Sequence, residues 1–163
     1  MTDAAIAAPA PAPSRLAIAR WLALLTPAGL LGGALGSQYL GGLYPCEMCY
    51  WQRWPHGVAI VLAALAFISG PSRARQLILL AAAAIAVSGA IGVYHALVEL
   101  GILQGVTTCT AGGGSLADIL ATPLVRCDQV QFAFLGISMA GWNAILSLGS
   151  AIVISKLVWS ARR

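Results

Sequence analysis

The sequence predicts an all-α integral membrane protein, a four-helix bundle with both termini cytoplasmic and a long loop between helices three and four. Three observations predict it. The chain of 163 residues is 60% hydrophobic and only 9% charged, with a mean hydropathy of +0.86. A water-soluble chain of this length needs more charge to cover its surface. Four apolar segments recur along it, and the basic residues gather in alternate connections between them.

The elements follow in order. Residues 1–14 are rich in Ala and Pro with no amphipathic period, which predicts a disordered tail ahead of a membrane domain over 15–163. A span needs about 20 residues at ~1.5 Å each to cross roughly 30 Å of hydrocarbon. Helix one is expected over 16–39, with Pro27 inside it. Arg15 and Arg20 precede it, and its apolar run is long enough to stay in the membrane as an uncleaved anchor. Helix two is awkward. Its purely apolar part, Val58 to Ile68, is too short, so it must recruit residues back to Cys49 and is expected over 49–69. Helices three and four are expected over 76–99 and 135–159. Membrane helices tolerate the Gly and Pro inside these segments.

The connections set the topology. A short loop, 40–48, carries Gly41, Gly42 and Pro45, and a long one spans 100–134. Within the long loop, Ser115 and the apolar residues Leu116, Ile119, Leu120 and Leu124 predict a short interfacial helix. Arg15, Arg20, Arg73, Arg75, Lys156, Arg162 and Arg163 fall on one side, and only Arg53 and Arg126 on the other. The positive-inside rule makes the first side cytoplasmic. The net charge of +4 therefore reports membrane orientation, and no nucleic-acid partner is expected.

This orientation puts all four cysteines outside. Cys46 and Cys49 form a Cys-x-x-Cys in the short loop, and Cys109 and Cys127 lie in the long one. Two cysteines at the tighter spacing can close a small, strained disulfide, the kind that is easily reduced. The pair also opens helix two, where unpaired N–H groups and the helix dipole favour a thiolate. Arg53 follows Cys49 by four residues and shares its helix face, adding a fixed positive charge. These features describe redox cysteines. Two plainer readings stand beside them. A Cys-x-x-Cys can be half of a zinc site, although the spacing of Cys109 and Cys127 does not supply a tight second half, so no metal site is expected. Both pairs can also be structural staples.

Tyr94, His95 and Glu99 form a second cluster at the outer end of helix three, with His95 and Glu99 sharing a face. Ionisable residues at membrane depth read as functional by default, and His95 is a candidate ligand contact. Arg53 and His95 have the alternative of simple interfacial anchoring. His56 reads as interfacial, Trp51, Trp54, Trp142 and Tyr50 as an aromatic belt, and Asn143 as a helix–helix hydrogen bond.

The string Tyr44-Pro45-Cys46-Glu47-Met48-Cys49-Tyr50-Trp51-Gln52-Arg53 resembles the first periplasmic loop of the bacterial disulfide bond formation protein B (DsbB) family. Val93-Tyr94-His95 with Glu99, and Cys127-Asp128 followed by Phe134 to Ser138, resemble the family's later motifs. The resemblance covers roughly residues 20–155. It implies a multi-pass protein of the bacterial inner membrane with its active loops in the periplasm. It implies a thiol:quinone oxidoreductase that reoxidises a periplasmic DsbA-like thioredoxin-fold partner and passes the electrons to ubiquinone or menaquinone. Cys109 would form the mixed disulfide with the partner, and Cys127 would be its mate. Cys46 and Cys49 would form the second disulfide. Cys49 would face the quinone, Arg53 would stabilise the charge there, and His95 would lie close by. The alternative from another class is a membrane metal-binding or scaffold protein with structural cysteines.

Overall fold

The computed structural model describes residues 13–106 and 125–161. Among them are four helices, α1 Arg15–Tyr39, α2 Glu47–Phe67, α3 Pro71–Glu99 and α4 Met139–Ser160, and one hairpin of β1 Ala133–Phe134 with β2 Ile137–Ser138. The fold is all-α, as its composition requires. The expected interfacial helix at 115–124, the tail before Pro13 and Cys109 lie outside the described residues.

Local chemistry explains each start. The Ser14 side chain caps α1 by accepting from the Ala17 N–H at 3.2 Å. Pro71 occupies the first turn of α3, where its missing N–H is no loss, so that helix begins before the basic residues Arg73 and Arg75. Cys46 is the N-cap residue of α2, which therefore starts ahead of Cys49. The start of α4 is delayed to Met139 because the preceding residues turn back on themselves. Leu135 and Gly136 have φ of 53° and 77°, the two left-handed residues of a tight hairpin, and Ser138 then caps the helix. The Trp142 indole N–H donates to the Phe134 carbonyl at 3.0 Å and holds this hairpin against α4.

The helices pack as a ring in which α1 meets α2 and α4, and α3 meets α2 and α4. The core is dominated by small side chains, among them Ala19, Ala23, Ala59, Ala63, Ala81 and Ala151, with Ile78, Ile85 and Ile154 between them. Small residues allow the close backbone approach by which membrane helices associate. The outward faces are apolar. Leu25, Val61, Leu80, Ile145 and Ile152 are all exposed, which suits lipid and not water.

Three of the helices, α1, α3 and α4, are long and apolar enough to cross a membrane. The remaining one, α2, carries Glu47, Gln52, Arg53 and His56 in its first three turns, which dilutes its apolar character. At one end of the bundle, Arg20 lies over the Phe67 ring and ties α1 to α2, and Arg75 donates to the Ala161 carbonyl at 3.0 Å and ties α3 to the end of α4. The opposite end gathers Cys46, His95, Glu99 and the residues that lead into α4.

Candidate functional site

At that opposite end a cavity of about 640 Å³ opens between the four helices and the hairpin. Its volume is that of a small-molecule site. Cys46, Cys49, Arg53 and His95 line it, so four of the six site residues expected from sequence share one wall system. Cys127 stands immediately behind. The Cys46 and Cys127 sulfurs and a ring nitrogen of His95 all lie within 4.8 Å of one another. Cys109 lies outside the described residues.

The cysteine pair is built by the start of α2. Cys46 is buried at the helix boundary and Cys49 sits in the first turn, which brings their sulfurs to 3.2 Å. The Cys46 S–H donates to Cys49. That bond, with burial second, holds the Cys46 thiol well above its ordinary range. Of the two sulfurs, Cys49 is thus the one placed to carry negative charge.

Arg53 stands one turn further along α2. Its guanidinium donates to the Gln38 side-chain oxygen and, at 3.1 Å, to the Ala34 carbonyl, both on α1, and it lies 5.2 Å from the Tyr50 ring centroid. The side chain therefore does more than anchor helix two. It joins α1 to α2 while keeping a positive charge at the cavity wall.

His95 is only 3% exposed. Its Nε2 is 3.6 Å from the Cys46 sulfur and 3.8 Å from Glu99 Oε1, and the ring also hydrogen-bonds the backbone of Cys127. Tyr94 does not join the cavity. Its hydroxyl donates to the Gln104 carbonyl at 2.7 Å and secures the chain after α3.

Sequence reasoning missed what lies beneath. His56, read as interfacial, is 3% exposed inside the bundle. Its Nε2 is 2.9 Å from both Asn143 Oδ1 and Ser88 Oγ. Asn143, expected to make a helix–helix hydrogen bond, does so: it bridges α4 to α2 by donating to Gln52 Oε1 at 2.8 Å, and Gln52 Nε2 reaches His95 Nδ1 at 2.8 Å. Trp142, read as a belt residue, clamps the hairpin and lines the cavity. The signal available in sequence was the stripe Cys49, Gln52, Arg53 and His56, whose three- and four-residue steps place polar groups along one side of an otherwise apolar helix.

The family model described as disulfide bond formation protein DsbB matches residues 16–157, nearly the whole chain. The chain belongs to the DsbB family. A disulfide bond formation protein B of Aromatoleum aromaticum is 35% identical over 136 residues, covering 72% of this chain and 77% of the relative. One from Methylococcus capsulatus is 33% identical over 153 residues, covering 87% and 93%. One from Marinobacter nauticus is 31% identical over 151 residues, covering 77% and 83%. No solved structure matches the chain. Membership of the DsbB family makes this a multi-pass membrane oxidoreductase of disulfide bond formation.

Proposed function

We propose that the protein is a thiol:quinone oxidoreductase that reoxidises a periplasmic DsbA-like dithiol partner. The observation that carries this reading is the meeting of three cysteines, two lining the cavity and one behind it. Cys46 contacts Cys49 at 3.2 Å and lies within 4.8 Å of Cys127, a residue from the distant loop. Sulfurs this close can exchange disulfides with little motion of the chain.

Electrons would enter at Cys109, which forms the mixed disulfide with the partner, and reach Cys127. The Cys127 thiolate attacks Cys46 of a Cys46–Cys49 disulfide. A Cys46–Cys127 bond forms, the Cys46–Cys49 bond breaks, and the electron pair leaves on Cys49. Arg53, one turn away, holds that negative charge at the cavity wall. A ubiquinone or menaquinone bound there supplies a sink for two electrons and two protons. The cavity fits such a ring in size, and Leu30, Leu31 and Ala34 of α1 give it an apolar side. His95 stands at the same wall, close to Cys46. The basic residues at the far end of the bundle support a cytoplasmic face there, with the cysteines on the periplasmic side of a bacterial inner membrane.

The test is turnover. Purified protein supplied with a reduced thioredoxin-like dithiol reduces a quinone analogue, and Cys49→Ser or Cys109→Ser stops it. Full turnover by Cys49→Ser would sink the assignment.

A second reading, a membrane protein that holds a thiophilic metal, draws on the Cys46, His95 and Cys127 cluster. Mass spectrometry after thiol alkylation separates the two. Stoichiometric zinc without exchangeable disulfides favours the metal.

A further inference from the structure

The hydrogen bonds behind His95 decide where its proton sits. Gln52 Nε2 is 3.1 Å from the Met48 carbonyl, and Asn143 Nδ2 is 3.2 Å from the Ser88 carbonyl. A backbone carbonyl only accepts, so each amide must present its nitrogen there. Turning Gln52 over would set Oε1 against the Met48 oxygen. Turning Asn143 over would set Oδ1 against the Ser88 oxygen. Asn143 Oδ1 also accepts from Ser147 Oγ at 2.9 Å. With both amides fixed, Gln52 donates an N–H to His95 Nδ1 at 2.8 Å. Nδ1 therefore carries a lone pair, and the single proton of the neutral ring lies on Nε2. That N–H is shared between the Cys127 carbonyl and the Cys46 sulfur, which is 3.6 Å from Nε2.

We propose that Gln52 and Asn143 are positioning residues that hold His95 as an Nε2–H donor. That N–H stabilises the Cys46 thiolate released when a Cys46–Cys127 disulfide opens. The inference rests on the sulfur exchange proposed above and adds to it the group that receives the leaving charge. A thiolate attacks the Cys127 sulfur, a new S–S bond forms there, and the Cys46–Cys127 bond breaks. Its electron pair leaves on Cys46, and no proton has to move. Thiol–disulfide exchange is faster when the leaving sulfur is a more stable anion, and a donor aimed at that sulfur makes it so. The same proton occupies the lone pair that a metal at Cys46, Cys127 and His95 would require. The lock thus favours sulfur exchange over metal binding.

Nitrogen-15 spectra of the histidine-labelled full chain in detergent read the tautomer directly. His95 is expected to show a protonated Nε2 and a bare Nδ1. In Gln52→Glu a carboxylate replaces the donating amide, and Nδ1 acquires a proton. Exchange is read in Cys49→Ala/Cys109→Ala protein oxidised to the Cys46–Cys127 disulfide and opened by a small thiol. His95→Phe slows that opening about tenfold, and His95→Gln, which keeps an N–H donor, restores most of the rate. A wild-type proton on Nδ1, or protons on both nitrogens, overturns the assignment. So does a bare Nδ1 in Gln52→Glu, or an unchanged opening rate in His95→Phe. If all these results hold and no quinone is ever reduced, the quinone reading falls and the role of His95 stands.

Discussion

The sulfur of Cys46 stands 3.6 Å from Nε2 of His95, although 49 positions separate the two residues in the chain. One begins α2 and the other lies in the last two turns of α3, so the contact exists only because these helices run antiparallel and in register. It joins the Cys-x-x-Cys loop to a buried polar network, and each side of that junction is open to test.

Arg53 is expected to matter twice, through its charge beside Cys49 and through its bonds to Gln38 and Ala34. Arg53→Met should lower quinone reduction about tenfold at neutral pH, the scale of losing one screened charge near a thiolate. Arg53→Lys should recover part of that loss, because it keeps the charge and loses the two-pronged reach to α1. Equal losses in both variants would assign Arg53 to helix packing alone.

Asn143 connects α4 to α2 and α3 through Gln52, His56 and Ser88. Asn143→Leu takes away the donor that Gln52 Oε1 receives, while His56 and Ser88 keep their bond to each other. The variant should lose about 1–3 kcal/mol of stability, the range for one unsatisfied buried polar group, seen as earlier thermal unfolding in detergent. A melting curve that matches the wild type would show the network to be dispensable for the fold.

Gly92 sets the approach of α3 to α4. A Cβ there would meet the Ala140 carbonyl oxygen at 3.0 Å and the Ala144 nitrogen at 3.1 Å, and backbone cannot step aside. Gly92→Ala should destabilise by about 1–3 kcal/mol through overpacking. Gly149, where an added Cβ would meet nothing within 4 Å, should accept Ala without loss. Comparing the two melting temperatures isolates the contact from the helix propensity of Ala.

The Arg126–Asp128 pair tests the loop next to Cys127. Arg126 donates to Asp128 and holds its carboxyl below the usual carboxylate range. A depressed folded-state value contributes stability above the unfolded-state value, lost as pH falls through the folded one. The pair is exposed, so that contribution is small. Asp128→Asn should leave the melting temperature unchanged at neutral pH, and NMR titration should find Asp128 still mostly ionised at the pH where an unpaired Asp is half protonated. A carboxyl that titrates at its ordinary value would show the pair to be absent in solution.

The sequence by itself determined the elements and the Cys-x-x-Cys pair that opens helix two. Apolar runs of span length set the helices, because in lipid every backbone polar group must be bonded within its own segment. The alignment of Cys49 with Arg53 was legible because a four-residue step is a local property of any helix. The late start of α4 was not, since it depends on a tight turn at Leu135 and Gly136 that lacks the usual Asn or Asp. Only the tertiary structure decided that Cys127 meets Cys46, that His56 is buried, and that two amides lock the ring of His95. These contacts cross between elements. Their geometry follows from how three helices and a loop register against one another, and that register is set by close packing around small residues, which no local pattern encodes.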